Sequence, residues 1–168
     1  TAENYYENPS FYGFTKITSE NLLNTYRKNY GLNSTVLRFS NIFGIFSSHK
    51  SSAVHKMVQC LIDKQKYFEI HGTGKQKRDF LYSENLVFKT QKILKKRNRK
   101  FLYDVSSQKK YSVNQILSLI QRLDNKNIIS KKVRPPLGYD VTFDKKSEND
   151  ISKSLKRDLI KTINWYKD

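Results

Sequence analysis

Apolar residues recur at helical spacing in five stretches of this chain and crowd into short runs between them. From Tyr12 to Asn29, Ile17, Leu22, Leu23 and Tyr26 fall near a 3.6-residue period, and Gly31 supplies a helix stop. The run STVLRFSNIFG, closing at Gly44, predicts a buried strand. After a polar loop over 45–52, Ser51 or Ser52 is placed to cap a helix over 53–65, with Val54, Met57, Val58, Leu61 and Ile62 on one side. YFEIHG (67–72) reads as a strand, 72–79 as a loop and FLY (80–82) as another short strand. A helix over 84–96, a strand over 100–106, a Ser112-capped helix to Leu123 and a last helix over 153–167 complete the pattern. Residues 1–11 read as loop, and Pro135, Pro136 and Gly138 break the chain. Helices alternating with short strands predict an α/β architecture.

Composition narrows the class. The chain has 168 residues, of which 13% are aromatic and 37% hydrophobic, too many for a disordered segment. A single Cys excludes a disulfide framework and a Cys-rich zinc site. His49, His55 and His71 lack metal-ligand spacing with carboxylates or Cys60, so no metal is expected. Apolar runs fall far short of the about 18 residues a membrane helix needs, and the first twenty residues hold no signal-peptide core. The expectation is a soluble, cytoplasmic protein that does not enter a membrane.

The net charge of +17 invites a nucleic-acid reading. Residues 85–168 hold most of it, with the densest run from Lys92 to Lys100. Lys outnumbers Arg, however, 24 to 8. Lys is a hydrated point charge and Arg the usual bidentate reader of phosphates and bases. No aromatic-basic stripe such as an RNA-recognition motif appears. A Lys-rich surface accounts for most of the charge and a nucleic-acid partner is not expected, with a basic nucleic-acid-binding module as the remote alternative reading.

Candidate chemistry starts at Pro9-Ser10-Phe11-Tyr12-Gly13-Phe14-Thr15-Lys16, with Glu20 one turn later. Tyr12 and Lys16 share one helix face at i and i+4. An ammonium beside a phenol favours the phenolate, which suits a general acid/base. Leu37-Arg38-Phe39-Ser40-Asn41-Ile42-Phe43-Gly44 follows about twenty residues on, and then His71-Gly72-Thr73-Gly74-Lys75-Gln76-Lys77-Arg78-Asp79-Phe80-Leu81-Tyr82. Tyr103-Asp104-Val105-Ser106 and Ser112-Val113 come next, and TINWYKD stands at the end. In order and spacing these segments resemble the NAD-dependent nucleotide-sugar epimerases and dehydratases of the extended short-chain dehydrogenase/reductase family, the UDP-glucose 4-epimerase-like enzymes. The corresponding patterns there are P-x-x-Y-G-x-[ST]-K-x-x-x-E, L-R-x-x-N-x-x-G and G-x-G-x-Q-x-R-D.

The resemblance implies a fold, a reaction and a set of roles. The fold would be the C-terminal part of a Rossmann-type doubly wound parallel sheet with a small α/β substrate domain. Residues 1–52 would belong to the NAD-binding domain, and 53–168 mainly to the sugar-nucleotide domain, with some elements returning to the Rossmann sheet. The reaction would be NAD-dependent epimerisation or dehydration of a nucleotide-diphosphate sugar. Tyr12 would take the sugar hydroxyl proton, and Lys16 would support it and bind the nicotinamide ribose. Asn41 and Arg78 would contact the diphosphate, Gly72 and Thr73 the base or ribose, and Arg134 a phosphate. The residues themselves also allow Asn41 as a strand cap, Arg78 as an ion-pair partner of Asp79, and Gly72 and Gly74 as plain turn residues.

The six glycines form no G-x-G-x-x-G turn, since Lys77 stands where a third glycine would follow Gly72 and Gly74. The cofactor turn and the catalytic Ser/Thr of the family precede the Tyr. The chain therefore matches the C-terminal half, and the piece alone is expected to be inactive. A non-catalytic remnant, or a subunit needing a separate N-terminal half, is the alternative reading. A homodimer through the helix of Tyr12–Asn29 is a further expectation from the family.

Overall fold

The structure is a computed structural model that describes residues 11–47, 49, 51–135 and 150–168. The loop expected before residue 11, the break at Pro136 and Gly138 and the segment around Asp140 lie outside the described residues. In chain order the elements are α1 (Phe11–Tyr30), β1 (Val36–Phe39), β2 (Asn41–Phe43), α2 (Ala53–Ile62), β3 (Tyr67–His71) and β4 (Lys77–Tyr82). Then follow α3 (Ser83–Leu94), β5 (Leu102–Val105), β6 (Lys110–Ser112), α4 (Val113–Asp124), β7 (Ile129–Val133) and α5 (Lys153–Lys167). The expected α/β class holds.

The strand expected over 34–44 divides at Ser40 and serves two sheets. β1 pairs in parallel with β5, Val36 opposite Leu102 through Phe39 opposite Val105. β2 pairs in parallel with β4, Asn41 opposite Phe80 and Phe43 opposite Tyr82. The Ser40 amide still donates to Val105 O at 3.2 Å, so the chain turns only after the first ladder is complete. β6 adds to β4 antiparallel, and β3 pairs in parallel with β7. Two corrections follow. The loop expected over 72–79 is strand from Lys77, because Lys77–Asp79 pair with β6 although their polar side chains hid them. β7 carries three charged or polar residues in five and gave no apolar signal, yet its backbone completes the β3 ladder.

The main core lies among α2, α4, α5 and the inner faces of β3 and β4. Met57, Val58, Ile116, Ile120 and Leu159 are fully buried. Each contributes about 1.5–3 kcal/mol by leaving water. Cys60 is buried with them. Ser112 caps α4 in a reciprocal box: its Oγ accepts from the Gln115 amide at 3.1 Å, and Gln115 Oε1 accepts from the Ser112 amide at 2.8 Å. A second, smaller cluster of Leu81, Ile93 and Val105 joins α3 to the β1–β5 sheet.

α1 differs from the other helices. It ends where Gly31 takes the left-handed conformation (φ +67°), as expected. None of its residues is buried. Phe14, Leu22, Leu23 and Tyr26 form the apolar positions of the helix and face solvent.

Candidate active site

Tyr12, Lys16 and Glu20 stand one turn apart on one face of α1. Lys16 Nζ lies 5.2 Å from the centroid of the Tyr12 ring. Glu20 anchors this face: Arg38 Nε donates to its Oε1 at 2.8 Å and Arg38 Nη2 to its Oε2 at 2.5 Å. The hydrogen bond to Glu20 raises the Arg38 guanidinium further above its ordinary value, against the effect of burial. The three residues and Val36–Phe39 of β1 line a cleft of about 580 Å³. Tyr12 is 72% exposed at its mouth.

A second cavity, of about 240 Å³, opens where β2 and β4 meet the start of α2. Asn41, Ser52, Gln76 and Arg78 line it. The Asn41 side-chain amide donates to Asp79 O at 3.2 Å. Arg78 Nη1 donates to Lys77 O at 3.1 Å. The Asp79 carboxylate accepts from the Ser107 amide at 2.9 Å.

Ser52 occupies the N-cap of α2 but its hydroxyl makes no capping bond. That oxygen is buried without a hydrogen-bond partner, which corrects the expectation of a side-chain cap. Gln76 is buried to 5% exposure. Its Nε2 donates to His71 O at 2.7 Å, while its Oε1 is buried without a partner. The helix start brings orphan N–H groups and a positive dipole end to the same place. Guanidinium, amide, hydroxyl and helix N-terminus together suit an anion of phosphate type. Gln76 and Ser52 were not among the expected site residues. The signal for Gln76 was present in the sequence, in the Gly-x-Gly-x-Gln spacing.

Gly72, Thr73 and Gly74 form the turn between β3 and β4. Gly72 and Gly74 both have positive φ. A Cβ on Gly74 would sit 2.0 Å from Asn114 Oδ1, so the turn needs glycine there for space as well as conformation. Thr73 Oγ1 accepts from the Lys75 amide at 3.2 Å. Arg134 follows Val133, whose carbonyl accepts from the Gly72 amide at 2.9 Å, so the β3–β7 register brings it beside this turn. On either side of the turn, His71 and Gln76 line a third cavity of about 520 Å³ with His55 and Glu69. Ser51, Ala53, Gln76 and Val113 border both this cavity and the one at Asn41 and Arg78.

The C-terminal helix closes this region from behind. Tyr166 OH lies 2.6 Å from His55 Nδ1 and 3.1 Å from Ser47 Oγ. Ser47 in turn donates to Gly44 O at 2.5 Å. Burial first, then Lys56 and His49, pushes the His55 imidazole below its ordinary value. Thus the structure places Tyr12 and Lys16 in one cleft, Asn41 and Arg78 in another, and Gly72, Thr73 and Arg134 at one turn. Among the described residues, no group of three His, Cys, Asp or Glu gathers to hold a metal ion. No helix among the described residues is long and apolar enough to cross a membrane.

Parallel strand pairs with a Tyr/Lys helix and an adjoining cavity lined by Asn41 and Arg78 are the arrangement of a Rossmann-type fold. The family model for the NAD dependent epimerase/dehydratase family matches residues 1–105, and the chain belongs to this family. It is 27% identical to UDP-glucuronate 4-epimerase of Thermodesulfobacterium geofontis, over 94% of this chain and 50% of that protein. It is 28% identical to a putative UDP-glucose 4-epimerase of Methanocaldococcus jannaschii, over 98% of this chain and 56% of that protein. Among solved structures, UDP-glucuronic acid 4-epimerase from Bacillus cereus, in complex with UDP-glucuronic acid and NAD, superposes with a TM-score of 0.80 at 22% identity. That match covers 95% of this chain and 53% of the other. The dTDP-glucose 4,6-dehydratase from Streptomyces venezuelae superposes with a TM-score of 0.78 at 17% identity, over 94% and 51%. The fold is shared with these enzymes, and the chain spans about half the length of the curated relatives it matches.

Proposed function

We propose that this chain carries the proton-transfer and substrate-binding parts of an NAD-dependent epimerase or dehydratase acting on a nucleotide-diphosphate sugar. The observation that carries the reading is the cavity at the start of α2. Asn41, Arg78 and a helix N-terminus converge there with the Ser52 hydroxyl, a buried donor that lacks a protein partner, while the unpartnered Gln76 Oε1 offers an acceptor for a nucleoside N–H or O–H. A diphosphate would accept from Asn41 Nδ2, Arg78 and the first α2 amides, and from the Ser52 hydroxyl. Its nucleoside would extend past Gln76 into the larger cavity toward Gly72 and Thr73, with Arg134 beside the turn.

In this reading Tyr12 is the acid/base that accepts the proton of the sugar hydroxyl and later returns it. Lys16 holds positive charge next to the phenol and binds the nicotinamide ribose. The Tyr12–Lys16 cleft has donors of the right kind and room for a ribose ring, so these residues fit the nicotinamide end of NAD. When bound, NAD supplies the hydride acceptor that makes the sugar carbon oxidisable. Residues 1–52 belong to the NAD-binding domain in this reading, with Asn41 and Ser52 reaching the substrate's diphosphate, and 53–168 mainly to the sugar-nucleotide domain, with some elements returning to the Rossmann sheet.

A second reading, that the chain acts only with another polypeptide, is favoured by α1. Its exposed Leu22 and Tyr26, one turn apart, present apolar surface to solvent. Either a cofactor-binding half or the same helix of a second copy would cover it.

Calorimetric titration of the 168-residue chain with UDP, and of an Arg78→Ala variant, tests the substrate assignment. Micromolar UDP binding that falls at least tenfold in the variant is expected; no binding of UDP, dTDP or GDP overturns it. Turnover of UDP-glucose with NAD by the chain alone would overturn the second reading.

A further inference from the structure

We infer that the end of the molecule where α1 and α3 terminate is a binding surface for single-stranded nucleic acid. The inference stands apart from the sugar-nucleotide site, because it rests on residues at the opposite end of α1. An α-helix rises about 1.5 Å per residue, which puts Arg27 roughly 22 Å from Tyr12 along the axis.

The strand register brings the two helix ends together. β1 and β5 run parallel and start side by side, with the Val36 amide donating to Phe101 O at 2.7 Å. α1 leads into β1 and α3 leads into β5, so both helices end at the same edge of this sheet. α1 contributes Arg27 and Lys28. The last turn of α3 and the segment after it contribute Lys92, Lys95, Lys96, Arg97 and Lys100, all exposed. Residues 21–62 and 85–103 contain no Asp or Glu. None of these seven cations pairs with a carboxylate among the described residues, so their charge stands uncompensated at this end. Favourable interaction with the helix dipoles accounts for Arg27, Lys28 and Lys92 in the last turns. It extends to Lys95 at the C-cap and Lys96 beside it, but does not account for Arg97 and Lys100, which lie beyond.

Aromatic rings alternate with these charges, which the linear sequence conceals. Arg27 lies 5.5 Å from the Phe101 ring, Lys96 5.3 Å from Tyr103, and Lys92 4.3 Å from Phe88. Tyr30 is 75% exposed, its ring tilted 38° to that of Tyr26 at 5.4 Å between centroids. An acidic protein surface would use the cations but give the exposed Tyr30 ring no partner. A single strand uses both, its phosphates against the ammonium groups and its unstacked bases against the rings. The predominance of Lys over Arg fits contact with the backbone and little base readout.

Fluorescence anisotropy of a labelled oligo(dT) with the full chain, over a range of KCl, tests the surface. Binding at low salt is expected, with a log-log salt slope of roughly −3 for about four neutralised phosphates. The K95E/K96E/R97E variant should lose at least tenfold in affinity. The charge-matched K131E/K153E/K156E variant, on distant exposed lysines, should lose less than threefold. Tyr30→Ala, which leaves every charge and the core intact, should weaken binding about fivefold or more. No binding at low salt, equal losses in the two triple variants, an unaffected Tyr30→Ala, or displacement by polyglutamate as effective as by oligo(dT) would each overturn the inference. Tighter binding of duplex DNA than of the single strand would do the same.

Discussion

Arg38 holds Glu20 through two parallel hydrogen bonds, at 2.8 and 2.5 Å, and this is the ion pair that ties α1 to β1. Both side chains are more than two-thirds shielded from solvent. α1 buries no residue of its own, so the fork takes on a share of the work that apolar burial does for α2 or α4. Lys16 and Tyr12 stand one and two turns from Glu20 and inherit its placement. Glu20→Gln keeps the size and one acceptor but loses the charged fork, at a cost of about 1–2 kcal/mol. Amide hydrogen exchange should quicken roughly tenfold in α1, with α2 unchanged. Equal quickening in both helices would mean that the pair supports the whole fold.

Leu159→Ala and Leu22→Ala contrast the two kinds of helix. Leu159 is fully buried in the main core, and its truncation should cost about 2–5 kcal/mol in urea unfolding. Leu22 is 57% exposed on α1, and the same change there should stay within about 0.5 kcal/mol.

Gly74→Ala brings a Cβ against Asn114 and also puts alanine at φ +73°. The expected loss is about 1–3 kcal/mol. Adding Asn114→Ala should recover the steric part and leave about 1 kcal/mol of backbone strain, a coupling that a double-mutant cycle reads directly.

His55 gives the fold an acid sensitivity. Burial, with Lys56 and His49 nearby, holds its imidazole below the ordinary 6.5. On acidification the unfolded chain therefore takes up the proton first. The stabilisation is complete above pH 6.5 and is lost as pH falls through the lower folded-state value. His55→Gln should flatten the decline of stability just below pH 6.5. Tyr166→Phe, which leaves the ring but removes the 2.6 Å contact, should cost about 1 kcal/mol at pH 7.5.

How much the sequence reveals depends on where each signal resides. α2 and α4 were legible because Met57, Val58, Ile116 and Ile120 follow the helical period and all go inside. The Ser112 cap was legible because its partner Gln115 stands three residues on. β7 was not, since Ile129–Val133 is stabilised by backbone pairing with β3 and its side chains carry no pattern. Likewise nothing local marks Ser40 as the point where a continuous apolar run changes sheets. At the site, Asn41, Arg78 and the Gly72 turn could be found from motif spacing. The unpartnered oxygens of Ser52 and Gln76 arise only when α2 is laid against β4, and no linear reading contains that contact. The same holds for the end of α3, whose lysines and rings meet Arg27 through the β1–β5 register.

The division at Ser40 also acts as a ruler. Phe39 lines the Tyr12 cleft and Asn41 lines the Arg78 cavity, and one residue separates them. Two extended residues span at most about 7 Å, so the step from one compartment to the other has a fixed upper length along this backbone. Each end of the ruler is clamped, by β5 on one side and β4 on the other. A ligand that reaches both compartments is thereby selected for the spacing between its two ends as much as for their chemistry. One residue inserted at Ser40 would lengthen that span and change how Phe39 and Asn41 are placed relative to each other.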